Sequence, residues 1–409
     1  MMALTINATR FLKNFATSSS IGATENNGLH RLTLTEEDKQ MRDVYVDLLK
    51  KANLEVRIDD FGNIYARREG KLQDAPAVTF GSHLDTQHYG GRFDGVLGVL
   101  AGLEVMETLN DHQIETDYPL ELINFTNEEG ARFNPPILGS GAVTGQFTKD
   151  FVYNLKDSDG IRFEDALTAI GYKGLEKNKL SNVKNFIELH IEQGPILDNE
   201  NKEIGIVQGL QGLTRLNVKV LGATNHAGGA RMQDRKDALL AASYMIIAVN
   251  KMTEEIEDLR ITVGKIDNYP NSINVIPGTV EFVVDIRHPK DDVKNKSVTL
   301  IQEQLQEVAV SNNVSCETYI DWAYDTVPFD QDVIKAIGES AEELDYSAMD
   351  LYGGPGHDAK YMSTYTPTGL IFVKSIDGIS HNESELTKDE DLIKGANVLL
   401  NTIVKLAND

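Results

Sequence analysis

The chain has 409 residues, 41% of them hydrophobic and 25% charged, and its 63 Asp and Glu against 39 Lys and Arg leave a formal charge of -24. That composition excludes a disordered chain, and so acidic a surface repels phosphate backbones and anionic headgroups, which argues against nucleic-acid and membrane partners. A single cysteine, Cys316, allows no internal disulfide, MMALTINATRFLKNF is not a signal peptide, and no apolar run nears the roughly 18 residues of a membrane span, so a cytoplasmic protein is expected.

From the N-terminus, Met41, Val44, Tyr45, Leu48 and Leu49 predict an amphipathic helix capped by Thr35, with Asp38 three residues on. Asp60-Phe61-Gly62-Asn63 reads as a hairpin turn. An apolar strand ends near Phe80, a helix runs from about Gly95 to Leu109, and a second apolar strand covers Leu120 to Phe125. Strands alternating with helices imply a largely parallel sheet covered on both faces. From Leu213 the order becomes strand 213–220, helix 237–252, strand 260–266, strand 279–287, helix 292–311 and strand 314–321, which is that of a split βαβ, ferredoxin-like unit. In its third strand Val280, Phe282, Val284 and Ile286 alternate with Glu281, Asp285 and Arg287, which turns Arg287 away from that unit's core. After Trp322 the α/β pattern resumes, with a strand Gly369 to Val373 and a last helix opened by the capping box Thr387…Glu390. The expected architecture is an α/β domain of residues 1–212 and 327–409, interrupted by a smaller α+β domain of residues 213–326.

Ligands of open parallel sheets gather beyond the carboxyl ends of the strands. There the sequence places His83 and Asp85 after the strand ending at Phe80, Asp94 before the next helix, Glu128 and Glu129 after Phe125, His190 at the close of Phe186–Leu189, and His381 beyond Val373. Imidazoles and carboxylates at several strand ends describe a site for a divalent transition cation. Singly, a His-x-Asp pair or two adjacent glutamates is more often a surface feature, and His190 alone fits a core histidine; only the joint placement points to metal. Two acids directly after an apolar strand need compensating charge, and a cation provides it.

The strings GSHLDT, GRFDGVLGVLAGLEV, NEEGARF, ELHIEQG, NHAGGARMQDRKDA, INVIPGTVEFVVDIRHP and GISHNE run in that order from Gly81 to Glu383. Together they resemble the amidase branch of the two-metal aminopeptidase/aminoacylase superfamily, which holds N-carbamoyl-L-amino acid hydrolases, β-ureidopropionases and allantoate amidohydrolases. The resemblance implies a di-metal hydrolase domain, an inserted lid and dimerisation domain, a homodimer, and two divalent ions per subunit, Zn²⁺, Mn²⁺ or Co²⁺. It implies that Asp94 bridges the metals, with His83 and His190 completing one site and Glu129 and His381 the other. Asp85 then orients the His83 ring, and Glu128 is the general base that takes a proton from the attacking water. The same resemblance gives Arg287 the substrate carboxylate, Asn274 and Gln193 its polar groups, and His226 the oxyanion in the partner subunit's site; it puts His357 of GGPGHDA near the substrate. Where the family commonly has HAG followed by Pro-Met, this chain has Gly229-Ala230-Arg231-Met232.

The implied reaction is hydrolysis of the carbamoyl C–N bond of an N-carbamoyl-L-amino acid or N-carbamoyl-β-alanine to the amino acid, ammonia and CO2. HLDTQ and GISHNE look closest to those members. Allantoate, also a ureido carboxylate, is the alternative substrate. A dipeptidase or aminoacylase, and an inactive binding protein of the same fold, are more distant alternatives.

Overall fold

Four apolar segments, Leu120–Phe125, Ala77–His83, Val183–Ile191 and Thr368–Val373, lie side by side as parallel strands in the computed structural model, which describes residues 3–409. Nearly all their side chains are buried, as parallel strands covered on both faces require. Antiparallel strands widen the sheet at both margins, with the hairpin Glu55–Ile58 and Ile64–Arg68 on one side and Ile204–Leu210 on the other. Asp59 closes the expected hairpin turn by accepting the main-chain N–H groups of Phe61 and Asn63. The helix Val96–Asp111, buried on almost every face, packs on the Ala77–His83 strand and on the C-terminal helix Asp389–Leu406. Because the four central strands are parallel, their carboxyl ends share one edge: His83 is paired with Phe125, and His190 with Phe372. The sheet belongs to a unit formed by the chain up to Gln208 together with Pro328–Asp409.

Two local expectations need correction. The strand placed at Phe80 continues to His83, because the Ser82 hydroxyl is satisfied by Glu188 on the adjacent strand and so can be buried. The C-terminal helix starts at Asp389, one residue later than the capping box puts it; the Thr387 hydroxyl donates to Lys374 O rather than capping the helix. At the helix Glu36–Lys51, Thr35 does cap, accepting the Asp38 N–H, but the Asp38 carboxylate turns to Leu34 N–H and to a buried ion pair with Arg42.

The second unit, Gly209–Val327, has a four-stranded antiparallel sheet in the order Ser315–Tyr324, Gly212–Leu221, Thr279–His288, Arg260–Tyr269. Its helices are Ala238–Lys251 and Asp291–Ser311, which gives the ferredoxin-like order of elements. Val280, Phe282, Val284 and Ile286 enter its core, as the alternation predicts. Among the described residues no helix is long and apolar enough to cross a membrane.

Candidate metal centre

His83 ends one central strand and His190 is next to last in its neighbour, while Asp94, Glu128 with Glu129, and His381 come from the turns beyond the strand ends. Asp94 faces two ways. Its Oδ1 lies 3.1 Å from His190 Nε2 and 3.5 Å from His83 Nε2, and its Oδ2 lies 3.4 Å from His381 Nε2. Glu129 Oε2 stands 3.4 Å from the same His381 nitrogen. Two donor triads result, His83–Asp94–His190 and Asp94–Glu129–His381, each with its ligand atoms within 4.8 Å of one another.

The buried carboxylates of Asp94, Glu128 and Glu129 are paired, among the described residues, with histidines and with no lysine or arginine. Burial and the neighbouring Asp94 push the Glu129 carboxyl up to about 7. Burial raises Glu128 well above the usual carboxylate range. His83 is raised as well, because Glu128 and Asp94 outweigh its burial. A cluster with so strong an affinity for positive charge, built from imidazole nitrogens and carboxylate oxygens, fits divalent transition cations.

The rings are set by main-chain oxygens. His83 Nδ1 is 2.9 Å from Asp85 O and His190 Nδ1 is 2.9 Å from Ile191 O, so Nδ1 of each donates and the Nε2 lone pair faces the cluster. Asp85 therefore orients His83, but through its carbonyl; its carboxylate is 3.9 Å from the ring and instead accepts the main-chain N–H groups of Glu128 and Glu129, each at 3.3 Å. Gly95, at φ +67°, leaves space for the ring, since a Cβ there would fall 2.3 Å from His83 Cε1. Glu128 Oε2 is 3.4 Å from His83 Nε2 but belongs to neither triad. Gln193 Nε2 donates to Asp94 Oδ2 at 2.6 Å, at the rim of the second triad. His357 is buried edge-on against His190, ring centres 4.4 Å apart; burial and His190 hold its pKa well below the usual histidine value.

The remaining expected residues belong to the second unit. His226 and Asn274 come together on a short ribbon, Asn225–His226 against Val275–Ile276, where Ala227 N–H donates to Asn274 O. His226 Nδ1 accepts the N–H groups of Gly228 and Gly229 at 3.0 and 3.1 Å, which leaves Nε2–H as the exposed donor of the neutral ring. Arg287 lies on the polar face of its strand and grips Asp285 with two nitrogens, at 2.8 and 3.4 Å. Arg231 is exposed and pairs with Asp234.

A sequence profile of the peptidase family M20/M25/M40 matches residues 79–405. The chain belongs to that family. An N-carbamoyl-L-amino-acid amidohydrolase of Rhizobium meliloti is 38% identical, over 98% of this chain and 97% of its own. An allantoate amidohydrolase of Bacillus subtilis is 34% identical over 94% of each chain. The crystal structure of a hydantoinase/carbamoylase family amidase from Burkholderia multivorans superposes with a TM-score of 0.95 at 40% identity, covering 99% of both chains. These likenesses agree with the amidase-branch resemblance carried by the sequence motifs, and with the mostly parallel α/β hydrolase fold.

The motifs of this M20 chain do not disclose every buried polar group at its centre. Glu188, inside an apolar strand, accepts from Ser82 Oγ and Ala359 N. Its signal is the charge itself, an acid where a buried strand should be apolar. Gln87 Nε2 donates to Glu129 Oε2 at 2.9 Å, and Glu385 is buried against the Asp94 turn. For Glu385 nothing local in the sequence distinguishes it from a surface residue.

Proposed function

We propose that this chain is a two-cation amidohydrolase that cleaves the carbamoyl C–N bond of N-carbamoyl amino acids. The observation that supports this most directly is Asp94 presenting one oxygen to each donor triad while Glu128 stands 3.4 Å from His83 and joins neither triad. His83, His190 and Asp94 would hold one cation, and Asp94, Glu129 and His381 the other. When bound, such cations, Zn²⁺, Mn²⁺ or Co²⁺, supply Lewis acidity and lower the pKa of water.

Glu128 takes a proton from the water that adds to the carbamoyl carbon and delivers it to the terminal nitrogen, which leaves as ammonia. The N-carboxy amino acid that remains loses CO2 to give the free amino acid. Burial raises the proton affinity of Glu128, which favours its taking a proton from water. His226, with Nε2–H outward, is the donor to the oxyanion, and it acts in the partner subunit's site of a homodimer in which the second unit is lid and dimerisation domain. Gln193 and Asn274 bind the polar ureido group, His357 packs behind it, and Arg287 takes the substrate carboxylate, its fork held flat by Asp285. The single cysteine, buried Cys316, supports a reducing, cytoplasmic setting.

Allantoate is the second reading, favoured by the 34% identical allantoate amidohydrolase and by its own ureido and carboxylate groups. Ammonia release by metal-loaded protein from N-carbamoyl-L-α-amino acids, N-carbamoyl-β-alanine and allantoate tests both. The highest kcat/KM names the substrate class. Release from none of them overturns the proposal.

A further inference from the structure

The two donor triads are supported differently. His83 and His190 stand on neighbouring parallel strands, with their rings fixed by the carbonyls of Asp85 and Ile191. His381 has no strand beneath it: it lies in a turn between the Thr368–Val373 strand and the last helix, with its side chain 49% exposed and its φ at +53°. Two side chains tie this turn to Asp94: Gln193, whose Nε2 lies 2.6 Å from Asp94 Oδ2 and 3.2 Å from Ser380 Oγ, and a buried carboxylate, Glu385, which is 3% exposed. Glu385 Oε1 accepts the N–H groups of Phe93 and Asp94 at 3.1 and 3.2 Å, and Oε2 accepts the Ser380 hydroxyl at 2.8 Å. Ser380 Oγ also lies 3.1 Å from Asp94 Oδ2, the oxygen that faces His381.

The chain makes room for this contact at Gly91, where a Cβ would fall 1.9 Å from Glu385 Oε1. Glu385 has no lysine or arginine partner among the described residues, so three hydrogen bonds alone offset the cost of burying it. Merely closing a turn needs no such charge. A carboxylate here does two things that a neutral acceptor does not: it grips two main-chain N–H groups strongly, and it deepens the negative potential beside Asp94, Glu129 and His381.

We infer that Glu385 is a positioning residue of the second cation site, clasping the Asp94 turn to the Ser380–His381 turn and so helping to set the separation of Asp94 Oδ2 from His381 Nε2. The inference rests on the two-cation reading above. The first site has two of its ligands, His83 and His190, on strands and shares the clasp only through Asp94.

Titration of metal-stripped full-length protein with Co²⁺, followed by calorimetry, tests it. Wild type is expected to take up two ions per chain, with His190→Ala and His381→Ala identifying the two steps. Glu385→Ala should weaken the step that His381→Ala removes by about 10- to 100-fold, the usual effect of losing a partner that holds a ligand, and weaken the other step, which shares only Asp94, by less. Ser380→Ala should weaken the same step by less. If Glu385→Ala does not fold, Glu385→Gln, of equal volume, should show the same selectivity at smaller size. Equal weakening of both steps overturns the inference, as does a lowered melting temperature with both affinities intact. Uptake of fewer than two ions by wild type overturns the two-cation reading, and the inference with it.

Discussion

Glu128 Oε2 lies 3.4 Å from His83 Nε2, on one side of the cluster, whereas its neighbour Glu129 turns to His381 on the other. Adjacent acids with opposed directions can divide coordination from proton transfer. Glu128→Gln is therefore expected to keep both cations and lose about 10²–10⁴ in kcat, the range for a general base. Glu129→Gln should lower metal content first, with activity restored in part by excess cation. Metal analysis beside kcat checks the pair, and the reverse pattern would exchange the two roles.

Cation removal should act on stability as well as on rate. Prolonged chelation is expected to abolish turnover, and Mn²⁺, Co²⁺ or Zn²⁺ to restore it. Because the triads exist only in the folded chain, free cation at 100 times its Kd should add about 2.7 kcal/mol per independent site. A melting temperature that ignores added cation, in protein that also turns over without it, would remove metal from the account.

The strands and the six residues of the cluster are legible in the sequence because each is encoded locally: an apolar run makes a buried strand, and a histidine or acid at its end has one edge to occupy. Glu385 is not, since its partners Phe93 and Asp94 lie 292 and 291 residues away and only the folded chain brings them together. The same reason defeats the Thr387 capping box, where Lys374 O competes for the hydroxyl. Asp85 shows a finer limit. The residue that orients His83 can be named from sequence, but whether its carboxylate or its carbonyl does so depends on the turn geometry, and the carboxylate is drawn to the amides of Glu128 and Glu129.

Stability of the first unit should be sensitive to the Asp38–Arg42 pair. Both side chains are buried, and Arg42 donates further to Gly62 O, linking the helix Glu36–Lys51 to the hairpin turn. Arg42→Ala leaves the Asp38 carboxylate buried without its cation, an effect of about 3–5 kcal/mol. Urea unfolding measures it. A loss below about 1 kcal/mol, the scale of an exposed pair, would mean that water reaches the site.

Arg287→Lys keeps the charge but not the planar fork, so KM for a carboxylate substrate should rise with kcat little changed. Asp285→Asn should produce a milder rise, because it loosens the guanidinium without removing it. The comparison is informative because Asp285 already occupies two of the Arg287 donors. An unchanged kcat/KM in Arg287→Lys would make the residue part of a strand-surface ion pair and nothing more.

His226 offers the most searching test, because its proposed task lies in another subunit. Two main-chain N–H groups hold its Nδ1 as an acceptor, so the proton of the neutral ring is on Nε2, where an oxyanion needs a donor. Losing one preorganised donor of this kind costs about 10²–10³ in kcat, so His226→Ala should be almost inactive while binding cations normally. Glu128→Gln should be inactive for the separate reason that no base remains. When the two variants are refolded together, a heterodimer contains one site with both Glu128 and the partner subunit's His226, and one site with neither. If His226 acts in trans, verified heterodimers should recover about half the activity of a wild-type dimer, as expected when independent sites each contribute additively. If it acts within its own chain, every site in the heterodimer lacks either the base or the donor, and no activity returns.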